Sequence, residues 1–208
     1  VSPCPQSCSC PIDSVINCQN PLMTTFPILT KVMDKVTTLD ITGTSIQHIP
    51  RHGLSNYPNL TSLYLQNNQI DRITNGTFLN LNKLRFLLLN GNLLNSLSSS
   101  IFEGLKSLKS LYLHSNRIEA IKDGAFESLN MLSNLDLSDN ILPALNSSRL
   151  FEGLGKLKYL YIYNNRIEKI ANEPFAQLNN LIRLDLNGNL LNTIHPGIFK
   201  GLQRLIHL

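Results

Sequence analysis

The sequence predicts an α/β solenoid: a right-handed coil of short units with a curved parallel sheet on its concave side and a disulfide cap at its start. Two observations carry this. From Val36 the chain repeats itself every 24 residues, and all four cysteines fall within the first 18 of its 208 residues. Composition agrees. There are 39 leucines and 25 asparagines, and an excess of two residue types signals repetition. Hydrophobic residues make up 42%, too many for a disordered chain. No apolar run approaches the roughly 20 residues that cross a membrane. A net charge of +4 is mild and does not by itself point to nucleic acid.

The units line up from their strand-like segments. They begin at Val36, Leu60, Leu84, Leu108, Leu132, Leu157 and Leu181, and an eighth starts at Leu205. The fifth unit has 25 residues, the extra one lying in 146–150. The shared pattern is L-x-x-L-x-L-x-x-N-x-L. Apolar and polar residues alternate in L-x-L, which predicts a short strand. One unit is too small to bury its own apolar side, so the units stack into one continuous core. The pattern leucines point inward, with two further aliphatic columns, Ile70 to Leu191 and Ile73 to Ile194. Six units carry the asparagine, at Asn68, Asn92, Asn116, Asn140, Asn165 and Asn189; the first has Thr44. An amide offers both donors and an acceptor, so this column predicts a ladder pairing backbone groups of the turns. Phe78, Phe102, Phe126, Phe151, Phe175 and Phe199 recur once per unit and predict a buried spine on the convex side.

The cysteines read C-x3-C-x-C-x7-C. Zinc sites favour C-x2-4-C pairs, often with histidine, and no histidine occurs before His48. Two disulfides fit better. Of the three connectivities, the one joining Cys8 to Cys10 is sterically poor; spacing does not choose between the other two. Disulfides imply an oxidising compartment. Three N-glycosylation sequons agree, at Asn59, Asn75 and Asn146. No signal peptide is present, and the opening Val-Ser-Pro-Cys looks like a mature or trimmed start.

On these residues the chain resembles the leucine-rich repeat family over essentially everything after residue 30. Its opening CPQSCSC is similar to the N-terminal cysteine-rich cap of extracellular members: variable lymphocyte receptors, Slit-type proteins and the ectodomains of hormone- and relaxin-type receptors. The resemblance implies Cys4–Cys10 and Cys8–Cys18 pairing. It divides the chain into a cap, 1–35, and repeats, 36–208, made of seven units and the start of an eighth. The family's C-terminal cap carries cysteines, and none follows Cys18. The expectation is therefore a fragment of a longer protein, with room for a membrane anchor after Leu208, or an end covered by a partner, including a second copy in a homodimer.

Specificity is expected where the side chains vary: on the concave sheet, between the inward leucines. One column reads Thr38, Ser62, Phe86, Ser110, Asn134, Tyr159, Arg183. The central one reads Asp40, Tyr64, Leu88, Tyr112, Asp136, Tyr161, Asp185, and the third Thr42, Gln66, Asn90, His114, Ser138, Tyr163, Asn187. Five of the six tyrosines sit here, and Tyr57 is the exception. Aromatics suit strands in general, but that does not explain their near-absence elsewhere. Tyrosine offers rigid contact area with a polar tip. The expected contact set is Tyr64, Gln66, Phe86, Leu88, Asn90, Tyr112, His114, Asp136, Tyr159, Tyr161, Tyr163, Arg183 and Asp185.

Charge on this face balances: Arg85, Lys109, Lys158 and Arg183 against Asp40, Asp136, Asp139 and Asp185. The balance argues against a nucleic-acid groove, so nucleic acid is not an expected partner. No catalytic signature appears: no Gly-rich phosphate loop, no H-E-x-x-H, no calcium loop. No enzyme, metal site or cofactor is expected. The reading is an extracellular recognition module binding a protein or glycan on its concave sheet, in immune-type recognition. The alternatives are a hormone-type receptor ectodomain, or an adhesion or matrix protein whose sheet self-associates.

Overall fold

The computed structural model describes residues 4–208. The chain coils so that each unit lays one three-residue strand beside the last. Thirteen strands form: β1 Ser9–Ile12, β2 Val15–Asn17, β3 Thr38–Asp40, β4 Ser62–Tyr64, β5 Phe86–Leu88, β6 Ser96–Leu97, β7 Ser110–Tyr112, β8 Ala120–Ile121, β9 Asn134–Asp136, β10 Ala144–Leu145, β11 Tyr159–Tyr161, β12 Lys169–Ile170 and β13 Arg183–Asp185. Nine of them make one sheet in the order β1-β2-β3-β4-β5-β7-β9-β11-β13. From β2 onward it is parallel and unshifted, so that Leu39, Leu63, Leu87, Leu111, Leu135, Leu160 and Leu184 face one another in a row. The pairs β6-β8 and β10-β12 add two short parallel ladders after the turns. Among the described residues the only helical element is a short 3-10 turn, Pro196–Phe199. Turns form the rest of the back of the coil.

Burial follows the period. The middle residue of each repeat strand is fully buried, while its two neighbours face out. The phenylalanines behind the sheet stack from Phe78 to Phe175 with ring centroids 5.7–6.2 Å apart and planes within 19° of parallel. The two further aliphatic columns go inward as far as the sixth unit. Ile194 of the seventh departs from that expectation and is 61% exposed.

The asparagine column is a ladder. In Asn116, Nδ2 donates to the carbonyls of Leu89 and Leu113, both at 3.0 Å, and Oδ1 accepts the Leu94 N–H at 3.1 Å. Asn92, Asn140 and Asn165 repeat the scheme. Each amide thus joins its own turn to the one before it. These groups are buried and would otherwise lie unpaired. Thr44 closes the row, its backbone N–H donating to Asn68 Oδ1 at 3.0 Å.

The residue just before each ladder position has positive φ: Gly43, Asn67, Gly91, Ser115, Asp139, Asn164 and Gly188, between 51° and 67°. The chain must turn sharply here to leave the sheet, and a left-handed residue does this. This column escaped the sequence reading, although its Gly, Asn and Asp content is the usual signal.

At the start, Cys4 bonds to Cys10 and Cys8 to Cys18. They pin the antiparallel hairpin β1-β2, whose second strand pairs with β3 through Ile16 opposite Leu39. The hairpin covers an edge that would otherwise present unpaired backbone groups.

Candidate ligand-binding face

The sheet register brings the three variable columns together. Tyr64, Leu88, Tyr112, Asp136, Tyr161 and Asp185 are direct cross-strand neighbours, one per turn. Phe86, Ser110, Asn134, Tyr159 and Arg183 form the next row in the same way. The third column lies just past the strand ends. It keeps register because the carbonyls of Gln66, Asn90, His114, Tyr163 and Asn187 each accept an N–H from the preceding turn. With strands about 4.8 Å apart, these side chains form a continuous surface.

Side chains within the face have distinct jobs. Phe86 and Tyr159 are its most exposed apolar groups, at 42% and 38%. Tyr64, Leu88, Tyr112, Tyr161 and Tyr163 are half-buried. The Tyr112 hydroxyl accepts a hydrogen bond from Asn134 Nδ2 at 3.0 Å. The Arg183 guanidinium sits 5.9 Å from the centre of the Tyr161 ring and 3.6 Å from Asp185. That contact orders one cation against an aromatic. Two amide oxygens on this face, of Gln66 and Asn134, are enclosed without a hydrogen-bond partner.

The carboxylates have local duties. Asp136 Oδ1 accepts the backbone N–H and the hydroxyl of Ser138, and Asp185 Oδ1 accepts the N–H and Nδ2 of Asn187. Asp40 does the same for Thr42. Each holds the turn that follows its strand. His114 bonds to Ser115 Oγ at 3.2 Å, so with Asp136 committed to Ser138 the two do not make an acid–base pair. Among the described residues no group of His, Cys, Asp and Glu could hold a metal ion.

The sequons differ in setting. Asn59 is half-buried, and its amide is held by the Asp34 carbonyl and Lys83. Asn75 is exposed but bonded to Ser98 and Ser99, with Thr77 buried behind it. Asn146 and Ser148 are both exposed.

No curated protein sequence matches the chain. Solved structures match in 444 chains, so the fold by itself selects no ligand. One is the crystal structure of a TLR13–ssRNA13 complex, with a TM-score of 0.73 and 25% identity, over 84% of this chain and 29% of that one. This chain therefore spans less than a third of that neighbour. The similarity corrects one expectation, that nucleic acid lies outside the range of partners: this much longer structural neighbour is itself a complex with single-stranded RNA. The expectation failed because it rested on a sum. A net charge of zero over a face hides segregation, and here Arg85, Lys109 and Lys158 precede the strands while the carboxylates of Asp136 and Asp185 follow their central positions. A leucine rich repeat model matches residues 34–94, 87–142 and 147–208, and the chain belongs to the leucine-rich repeat family.

Proposed function

We propose that this chain is the ligand-recognition module of a receptor-type protein exposed to an oxidising compartment, and that a macromolecular ligand lies across its sheet face. The observation that carries this reading is the placement of the aromatics. Five of six tyrosines and Phe86 occupy three registered columns, where the fold needs no aromatic residue. The core is complete without them, since the buried leucines and the phenylalanine spine supply it. Large, rigid, amphipathic side chains on a surface of fixed spacing give contact area at small entropic cost. The paired cysteines support the compartment. Asn146 is the proposed glycan acceptor, away from the sheet face, and loss of a mobility shift on deglycosylation in Asn146→Gln checks it.

The test is Tyr112→Ala combined with Tyr161→Ala, compared with wild type in retention of ligand from the extracellular fluid of the source tissue and in sedimentation velocity. The expected result is loss of ligand with unchanged mass. A dimer that dissolves in the variant, with no separable ligand, would replace recognition by self-association.

A further inference from the structure

Charge is divided between the two sides of the sheet. From the third unit onward, the segment that leads into the sheet covers residues 81–86, 105–110, 129–134, 154–159, 178–183 and 202–207, whereas the two earlier ones, 33–38 and 57–62, hold only the charges of Asp34 and Lys35 between them. The six later segments hold eight of the 18 Lys and Arg and none of the 14 Asp and Glu, so the rest of the chain has ten cations against fourteen carboxylates. The mild net charge therefore conceals a strongly basic flank on an otherwise acidic body.

The flank is ordered. Lys83 and Arg85, Lys106 and Lys109, and Lys156 and Lys158 lead into β5, β7 and β11. The backbone links them turn to turn: Lys109 N–H donates to the Arg85 carbonyl at 2.8 Å, and Ser133 N–H to the Lys109 carbonyl at 2.9 Å. The cations are not spent on carboxylates. Lys83 bonds to Asn59 Oδ1, Arg204 to Asn180 Oδ1 and Lys156 to Met131 Sδ, all neutral acceptors one turn back. Among the described residues, only Arg183 of this flank has an ion pair. Cations normally mix with carboxylates on a solvated face, as they do on the opposite flank at Arg117, Glu119, Lys122 and Asp123. Unpaired, single-sign charge in register is the footprint of a polyanion.

Beside the cations stand the two most exposed rings of the face. Phe86 follows Arg85 and lies between Ser62 and Ser110; Tyr159 follows Lys158 and lies between Asn134 and Arg183. Three strand steps of about 4.8 Å put them about 14 Å apart along the coil. Cations that track a backbone, alternating with rings on which bases stack, are how single strands are held without sequence readout. A sulfated glycan would use the cations and leave the rings idle.

We infer that the leading flank, with Phe86 and Tyr159, is a binding site for single-stranded nucleic acid running along the solenoid. The inference rests on the recognition reading above and names its ligand class. The test is fluorescence anisotropy with a labelled oligouridylate and an abasic strand of equal length, over a range of salt. Engagement of about four phosphates predicts a log–log salt slope near −3 for the wild type. Lys156→Glu with Lys158→Glu should weaken oligouridylate binding at least about ten-fold and flatten the slope, whereas Arg117→Glu with Lys122→Glu should change it less than about three-fold. Phe86→Ala with Tyr159→Ala should weaken oligouridylate about ten-fold, leave the abasic strand unaffected and keep the slope. Thermal melts matching wild type verify folding of each variant.

Equal losses from both flanks overturn the site. Equal affinity for the two strands, or no effect of the ring variant, overturns nucleic acid in favour of a general polyanion such as a sulfated glycan. No binding of oligouridylate by the wild type removes this inference while the recognition reading survives. An intact flank effect with no effect of Tyr112→Ala and Tyr161→Ala on the same strand confines binding to the flank and removes the central column.

Discussion

Two residues per turn hold the coil together, and Asn116 shows how. Its amide satisfies two carbonyls and one N–H that are buried. Asn116→Ala leaves the buried Leu94 N–H unpaired, while Asn92 and Asn140 still donate to the Leu89 and Leu113 carbonyls; it should cost roughly 1–3 kcal/mol, read as a drop in the denaturation midpoint. Asn116→Asp keeps the acceptor but turns a charge toward two carbonyls, so it should cost more than alanine at neutral pH. The gap should narrow in acid as the carboxyl becomes protonated; a gap independent of pH would count against the ladder. The preceding residue, Ser115, has a φ of 56°. Ser115→Gly relieves a left-handed side chain and should gain about 1 kcal/mol, while Ser115→Val should lose more than that. The asparagine column could be read from the sequence because it is one residue type at one spacing. The left-handed column could not be read as easily, because Gly, Asn, Ser and Asp all meet the same backbone demand.

Among the elements, the first repeat unit carries near its end a residue that breaks the pattern. Tyr57 stands where later units have leucine, as at Leu81 and Leu105, and it is completely buried with its hydroxyl unpartnered. Burial pushes its pKa from 10 up to about 12. The unfolded chain then releases this proton near pH 10, and the native state holds it until about pH 12. Whatever Tyr57 contributes is therefore intact below pH 10 and lost as pH climbs toward 12. Tyr57→Phe should raise stability by about 1 kcal/mol at neutral pH, since the ring still fills the space and the lone hydroxyl is gone. It should also lose less than wild type between pH 10 and 11, which urea titrations at the two pH values would show. Strand positions and the spine were legible because each depends on a period of 24 residues. The orphan hydroxyl was not, because a buried polar group shows only when its neighbours are in place. The division of charge was hidden for a related reason: turn segments that are far apart in sequence become one flank only after stacking.

At the scale of the whole molecule, the solenoid is a one-dimensional object. Every strand of the main sheet touches only the strands before and after it, and every phenylalanine of the spine stacks only on its neighbours. Stability in such an arrangement is a sum of unit terms and nearest-neighbour terms. Energetic coupling between two sites should then depend on the number of turns between them. Phe102 and Phe126 are adjacent, with rings 6.1 Å apart, whereas Phe175 lies two spine positions beyond Phe126. In double-mutant cycles with leucine replacements, Phe102 and Phe126 should couple by about 0.5–1.5 kcal/mol, the range for an aromatic pair. Phe102 and Phe175 should be additive to within about 0.5 kcal/mol. Leucine keeps most of the side-chain volume, so both single variants should fold and the cycle can be closed. Strong coupling across three turns would mean that the coil responds as one rigid body. A ligand at the leading flank of one turn would then be felt at the far end. Additivity would mean the opposite: a ligand is read locally, and a long one gains affinity turn by turn as it occupies more of the coil.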